Sequence, residues 1–164
     1  MNNTSFDEIF SIFLDKVKKD KKFFNYFNVS IEESLTLAKQ QSKYYLFESI
    51  SKLTLMCQPD VDFNDYNESL NVFNFKLTLQ EINILANLMF EVHLNRDTAL
   101  LGITKNYLSS EDIKILFSPA NERRTFTQLL NDVRLENEKL IYKYASRDRL
   151  TGKRKTIDHS QYEL

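Results

Sequence analysis

The segment FNFKLTLQEINILANLMFEVHLNR, residues 73–96, constrains the fold more than any other stretch of the chain. Thr78 is a good N-cap, and Glu81 follows three residues later. That spacing is a capping box, in which each side chain satisfies a backbone donor that the first helical turn leaves orphaned. Ile82, Leu85, Met89 and Val92 then recur at helical spacing, and Ile84, Leu88 and Leu94 widen the stripe. A helix apolar over so much of its girth has neighbours on several sides. The segment is therefore expected to be the spine of a small all-α domain.

The rest of the chain agrees with a helical reading. Two Gly and two Pro in 164 residues leave few breakers, and no alternating apolar–polar run is long enough to specify a sheet. A first helix is expected from Ser5 to about Lys19, opened by a Ser5/Glu8 capping box, with Phe6, Ile9, Phe10, Phe13 and Val17 on one face. The basic cluster after it (Lys16, Lys18, Lys19, Lys21, Lys22) suits a helix C-terminus better than a binding patch. Phe23, Phe24, Tyr26 and Phe27 either plug the core or contact another subunit.

Ser30 and Glu33 open a second helix to about Cys57, with Ile31, Leu35, Ala38, Tyr45, Ile50, Leu53 and Met56 as its buried side and Pro59 beyond its end. The spine runs from 78 to about 96, where Gly102 stops any extension. A short helix is expected from Ser109 or Ser110 through Phe117. Ser118-Pro119 then opens a last helix to about Ala145, with Phe126, Leu129, Leu130, Val133, Leu140, Ile141 and Tyr144 facing the core and an Arg134–Glu138 pair outside. The fold class is thus a small helical bundle of about four to five helices over residues 1–145.

Two segments stand apart. Residues 58–77 form a long connection carrying Asp60, Asp62, Asp65 and Glu68, with Phe63 and Tyr66 between them. A loop of that length in a compact domain is usually functional or flexible. Its DVDFND run lacks the glycine and the terminal bidentate Glu of a calcium loop, so no metal is expected there. Residues 146–164 hold Arg147, Arg149, Lys153, Arg154 and Lys155 with almost no apolar content. Such a tail is expected to order only on a partner, and Leu150 to Ile157 has the composition to add as a strand to a partner's sheet edge.

Little in the chain carries chemistry. Two glycines cannot build a phosphate loop, and there is no Cys/His cluster with zinc spacing, so no cofactor or metal is expected. His93 and Asp97 lie at i, i+4, which reads first as a side-chain contact along one helix. The lone Cys57 excludes an intramolecular disulfide and fits a reducing, cytoplasmic setting. Twenty-two basic and 23 acidic residues nearly cancel, which gives no global electrostatic case for nucleic acid. The N-terminus lacks a signal-peptide pattern, and no apolar run approaches the ~20 residues that span a bilayer. The polar residues fit caps, faces and loops, which points to a non-enzymatic interaction protein.

Phe73-Asn74, Leu77-Thr78, Glu81-Ile82, Ile84-Leu85-Ala86 and Leu88-Met89, with Phe117-Ser118, Ala120-Asn121 and a closing charged helix ending in Leu140-Ile141 and Tyr144, form a pattern. It resembles that of small head–tail connector (neck, or adaptor) proteins of tailed phages of Gram-positive bacteria. An early Phe-rich helix with Phe6, Ile9, Phe13 and Leu14 and an acidic helix start from Ser30 to Glu33 extend the resemblance. It implies a virion structural protein made in the host cytoplasm. Copies, commonly twelve, would form a ring under the portal protein and bridge it to the tail or to a head-closure protein around the DNA exit channel. On that reading Arg147, Arg149, Leu150, Lys153, Arg154, Lys155 and Ile157 dock on the portal. The loop residues Asp60, Asp62, Phe63, Asp65, Tyr66 and Glu68 face neighbouring subunits or the channel, through which DNA slides without sequence-specific binding. Cutting the chain at 145 would then abolish portal binding and spare the helices. The alternatives are a tail-completion or head-closure protein, and a small helical nucleic-acid-binding regulator using the basic tail.

Overall fold

The computed structural model describes residues 3–18, 29–107 and 119–156, and of 98–107 and 119–123 the backbone only. Four helices dominate: α1 (Phe6–Val17), α2 (Ile31–Met56), α3 (Leu79–Tyr107) and α4 (Pro119–Ala145). The aromatic segment 23–27, the expected short helix 109–117, Ser118 and Ile157 lie outside the described residues.

Helix α3 is the axle, and α1, α2 and α4 each pack on it. Its stripe is buried as the spacing requires: Ile82, Ile84, Leu85, Leu88, Met89, Val92 and Leu94 are all in the core. The five expected residues of α1 are buried as well. All three capping boxes form. Ser5 and Glu8 open α1, Ser30 and Glu33 open α2, and at α3 the Thr78 N–H donates to Glu81 Oε2 at 2.7 Å. These bonds settle where the helices begin, because each satisfies N–H groups that the helix itself cannot.

Several expectations change. Helix α3 continues through Gly102 to Tyr107. One interior glycine costs about 1 kcal/mol relative to alanine, too little to stop a helix on its own. On α2, Ala38, Tyr45, Ile50 and Leu53 are buried, but Ile31 is 89% exposed and Leu35 and Met56 are exposed too. On α4, Leu130, Ile141 and Tyr144 are buried while Leu129 is exposed. Arg134 turns inward to Glu91 and Asn95.

The 58–77 connection is folded. It contains β2 (Tyr66–Asn67) and β3 (Val72–Phe73), and β1 (Thr4–Ser5) precedes α1. The three two-residue strands form an antiparallel sheet in the order β1-β3-β2, with Phe73 opposite both Thr4 and Tyr66. Asn71 closes the β2–β3 turn at φ 53°, a left-handed conformation that asparagine tolerates better than most residues. The N-terminal segment stitches this sheet to the bundle: the Phe6 N–H donates to Asn71 O at 2.9 Å, and the Leu77 N–H donates to Thr4 Oγ1 at 2.8 Å. Phe6, Phe63 and Phe73 are fully buried beneath it.

Candidate functional site

Among the described residues, two carboxylates sit in the core. Glu81 and Glu91 are both on α3, and both are fully buried. A buried charge is tolerated only when paired and hydrogen-bonded, so each marks a built polar cluster.

Glu81 organises the end of the bundle where α3 begins. Besides closing its capping box, it accepts the Tyr144 hydroxyl of α4 at 2.8 Å. The Arg149 guanidinium reaches it twice, Nε to Oε1 at 2.6 Å and Nη2 to Oε2 at 3.0 Å. Arg149 also donates to the Lys76 carbonyl and lies 5.7 Å from the Phe75 ring centroid. This forked pairing suits the planar guanidinium and leaves the carboxylate fully satisfied. The hydrogen bond to Glu81 holds the Arg149 cation firmly charged. Burial, and next the bond to Glu81, push the Tyr144 hydroxyl far above its ordinary pKa, so it remains a neutral donor.

Arg149 belongs to the segment expected to order only on a partner. Residues 146–156 instead fold back as a strap over the chain's own α3 start. Arg147 and Arg154 form an antiparallel bridge, and the Asp148 N–H donates to Lys153 O at 2.8 Å. Lys155 Nζ pairs with Asp60 Oδ1 at 2.6 Å, while Asp60 Oδ2 accepts the Arg149 N–H at 3.2 Å. The strap and the acidic loop thus meet at Asp60. The composition of the segment is that of a disordered tail, but two carboxylates elsewhere in the chain, Glu81 and Asp60, supply counter-charge to it.

The site residues expected from sequence therefore divide. Arg149 and Lys155 are engaged within the chain. Arg147, Leu150, Lys153 and Arg154 face solvent, with Leu150 80% exposed in a turn rather than in a strand. In the loop, Asp62 Oδ1 accepts the Asn64 N–H at 2.9 Å, and Asp65 Oδ1 accepts Asn74 Nδ2 at 2.7 Å. Glu68 pairs with Lys43 at 3.3 Å. Tyr66 is half-buried and stacked on Phe47, with ring centroids 5.1 Å apart. Phe63 is fully buried, so it belongs to the core and is not a surface contact.

The second cluster joins three helices. Glu91 is bonded by Lys52 of α2, by Arg134 Nε of α4 at 3.2 Å and by Asn137 Nδ2 at 2.9 Å. Asn137 also donates to the Asn87 carbonyl. Sequence reading missed this cluster, although a signal existed: Glu91 lies within the apolar stripe, between Leu88 and Leu94. Burial pushes the Glu91 carboxyl up, but the Lys52 and Asn137 hydrogen bonds, the Lys52 charge and the Arg134 bond outweigh it, leaving its pKa below the ordinary 4.5. Glu91 is thus ionised and saturated with donors at neutral pH, an arrangement that holds helices in register.

A group with a depressed folded-state pKa stabilises fully above its ordinary value and loses that contribution as pH falls through the folded value. The denaturation midpoint is therefore expected to drop as pH falls below 4.5. In Glu91→Gln the drop over the same window should be shallower. Equal pH dependence of the two proteins would show that Glu91 is not held as an anion.

His93 Nε2 lies 3.7 Å from Asp97 Oδ2, the i, i+4 contact expected from the spacing. The ring is packed among Phe13 and Tyr45. Cys57 is half-buried, and burial raises its thiol pKa, the reverse of an activated nucleophile. Among the described residues, no helix is long and apolar enough to cross a membrane. Comparison of the chain with protein-family models, with curated proteins and with solved structures found no match to any of them.

Proposed function

We propose that the chain is a virion structural protein, a head–tail connector. Copies form a ring, commonly of twelve, that bridges the portal protein to the tail or head-closure protein around the DNA exit channel. The observation that carries this reading is the surface at the start of α3. There an ordered strap exposes Arg147, Lys153 and Arg154, beside a folded loop that exposes Asp62, Asp65 and Glu68. A building block in a closed ring needs two different surfaces, one for each neighbour, and further surfaces for the layers above and below. Oppositely charged edges on one rigid bundle meet that need, and the acids would repel DNA passing through the ring. The resemblance of residues 73–121 to connector proteins supports the same reading. The protein would then act in the virion neck, without enzymatic activity, cofactor or membrane.

Light scattering of the protein alone and with a purified candidate portal tests this. A stoichiometric complex with the mass of a ring on the portal is expected. No complex with the portal, together with salt-sensitive binding to duplex DNA, would favour a nucleic-acid-binding regulator instead.

A further inference from the structure

Glu81 is buried more deeply than its capping role needs. Glu8 and Glu33 close the same kind of box at α1 and α2 while remaining exposed. Only at α3 is the capping carboxylate taken into the core, where the Tyr144 hydroxyl of another helix fixes it. Stability does not account for this burial, since a buried ion pair is close to neutral against well-packed apolar side chains. The groups around the Arg149 guanidinium have a different logic. Both Glu81 oxygens meet its N–H edge, at 2.6 and 3.0 Å, and the Lys76 carbonyl accepts a further bond from Nη2. The Phe75 ring centroid lies 5.7 Å from its central carbon. A carboxylate fork, an extra acceptor and an aromatic ring together are matched to a planar cation. None of these groups belongs to residues 146–156, so the receptor is complete without the strap.

The occupant is attached far more lightly than the receptor is built. Of residues 147–156, every one except Arg149 is exposed. The hairpin is closed by its own bonds. The Asp148 carboxylate accepts the Leu150 N–H at 3.2 Å, the Thr151 N–H at 2.7 Å and the Thr151 hydroxyl at 2.6 Å. The Gly152 N–H donates to the Asp148 carbonyl and the Lys155 N–H to the Ser146 carbonyl, each at 2.9 Å. Beyond α4, its ties to the rest of the described chain run through Arg149 and Lys155 alone. The Lys155–Asp60 pair is partly exposed, a kind of bridge worth little in water. The hairpin can therefore swing out as a unit, provided that Glu81 is not left without a cation. That condition bars spontaneous release and defines what can replace the strap, namely another guanidinium.

We propose that Glu81, Tyr144, the Lys76 carbonyl and Phe75 form an arginine-binding site for a basic segment of a partner protein, and that the strap fills this site in the isolated chain as a displaceable internal ligand. The strap itself specifies what the ligand presents. Its arginine meets Glu81, and a second cation beside it meets Asp60, as Lys155 does. Lysine cannot replace the arginine, because an ammonium lacks the fork that engages both carboxylate oxygens. Nucleic acid is the wrong chemistry, since every charged group of the receptor is an acid. The strap thus holds the site closed to weak ligands and yields to one that supplies both cations. This proposal is independent of the connector reading, because it concerns the receptor on the bundle and holds whatever protein carries the ligand.

The test adds an unlabelled synthetic peptide with the sequence of residues 146–156 to the isotope-labelled full-length chain and follows the arginine Nε–H signals by NMR. The Arg149 signal, identified by its loss in Arg149→Lys, reports the bond to Glu81, and the Arg134 signal reports the bond to Glu91 as an internal control. A tethered ligand competes at an effective concentration on the order of millimolar, so the peptide is taken to about 10 mM. The Arg149 signal is expected to be lost to fast exchange while the Arg134 signal stays. A peptide with lysine in place of Arg149, which keeps the other cations, should be weaker by about tenfold or more. Arg149→Ala gives a second reading, since the arginine peptide should raise its melting temperature by several degrees and should not raise that of Arg149→Ala combined with Glu81→Gln. An Arg149 signal unmoved at the highest peptide concentration overturns the proposal, even if the peptide rescues Arg149→Ala, because the strap is then a fixed part of the fold. Loss of both signals overturns it as well, since the peptide is then unfolding the bundle. Equal displacement by the lysine peptide overturns the arginine site. Equal displacement by arginine amide alone overturns the choice of a protein segment as the ligand.

Discussion

Arg149→Ala is expected to destabilise the protein by about 3–5 kcal/mol, as measured by urea denaturation at neutral pH, because it leaves a buried carboxylate without its cation. Glu81 is fully buried, and the Arg149 side chain is only 14% exposed. The remaining donors to Glu81, the Tyr144 hydroxyl and the Thr78 N–H, hydrogen-bond the anion without balancing its charge. The loss should reach beyond one pair. Arg149 also fastens the strap to the Lys76 carbonyl and to the Phe75 ring, so the 146–156 segment should gain fast amide exchange throughout. Arg149→Lys should recover part of the stability, since it restores the charge without the fork. Glu81→Gln combined with Arg149→Ala should be less damaging than Arg149→Ala alone, because the uncompensated charge is gone. A loss below about 1 kcal/mol in Arg149→Ala would place the pair in the class of exposed surface bridges and refute its structural role.

The same pair revises how a truncation behaves. A chain ending at residue 145 lacks Arg149 and Lys155 and leaves both Glu81 and Asp60 without their cations. Such a chain should lose stability as well as partner binding, so it cannot separate the two.

What was legible in the sequence was what short-range physics determines. The three capping boxes span four residues each, and the faces of α1 and α3 repeat at helical spacing, so local windows contain the whole signal. On α2 and α4 the apolar spacing overstates the core, since Ile31, Leu35, Met56 and Leu129 are exposed. Periodicity gives a face but not its ends, and Ile31 and Leu129 lie on helices of 26 and 27 residues whose apolar face is only partly covered. The sheet left no signal because its strands are two residues long and come from two separate places, the N-terminus and the 58–77 connection. The contacts of the strap carry no local signal for the same reason, at longer range. Asp60 and Lys155 are 95 positions apart, and the capping box already accounts for Glu81 within its own four residues. A residue that serves both a local motif and a distant partner shows only the local one to a sequence reader.

Phe73→Ala should be comparably damaging, at about 3–5 kcal/mol, the range for truncating a buried aromatic side chain. Phe73 is fully buried at the centre of the sheet, and its ring meets four others: Phe6 at 5.1 Å, Phe75 at 5.7 Å, Tyr66 at 6.2 Å and Phe63 at 6.4 Å between centroids. Edge-to-face contacts of this kind each add about 0.5–1.5 kcal/mol beyond area burial, so removing the shared ring weakens several at once. The position is also where the acidic loop is fixed to the bundle, since β3 is the strand that pairs with both β1 and β2. The substitution should therefore free the loop before it unfolds the helices. Amide exchange should quicken across 60–75 while the middle of α3 stays protected. Phe73→Leu, which refills most of the volume, should retain much of the stability. If the connector reading holds, Phe73→Ala below its melting temperature should lose ring formation through its loop while the strap still binds the portal. Unchanged exchange in the loop, at a measured loss of several kcal/mol, would mean that the sheet and the bundle unfold as one unit and that the loop has no separate mobility to regulate.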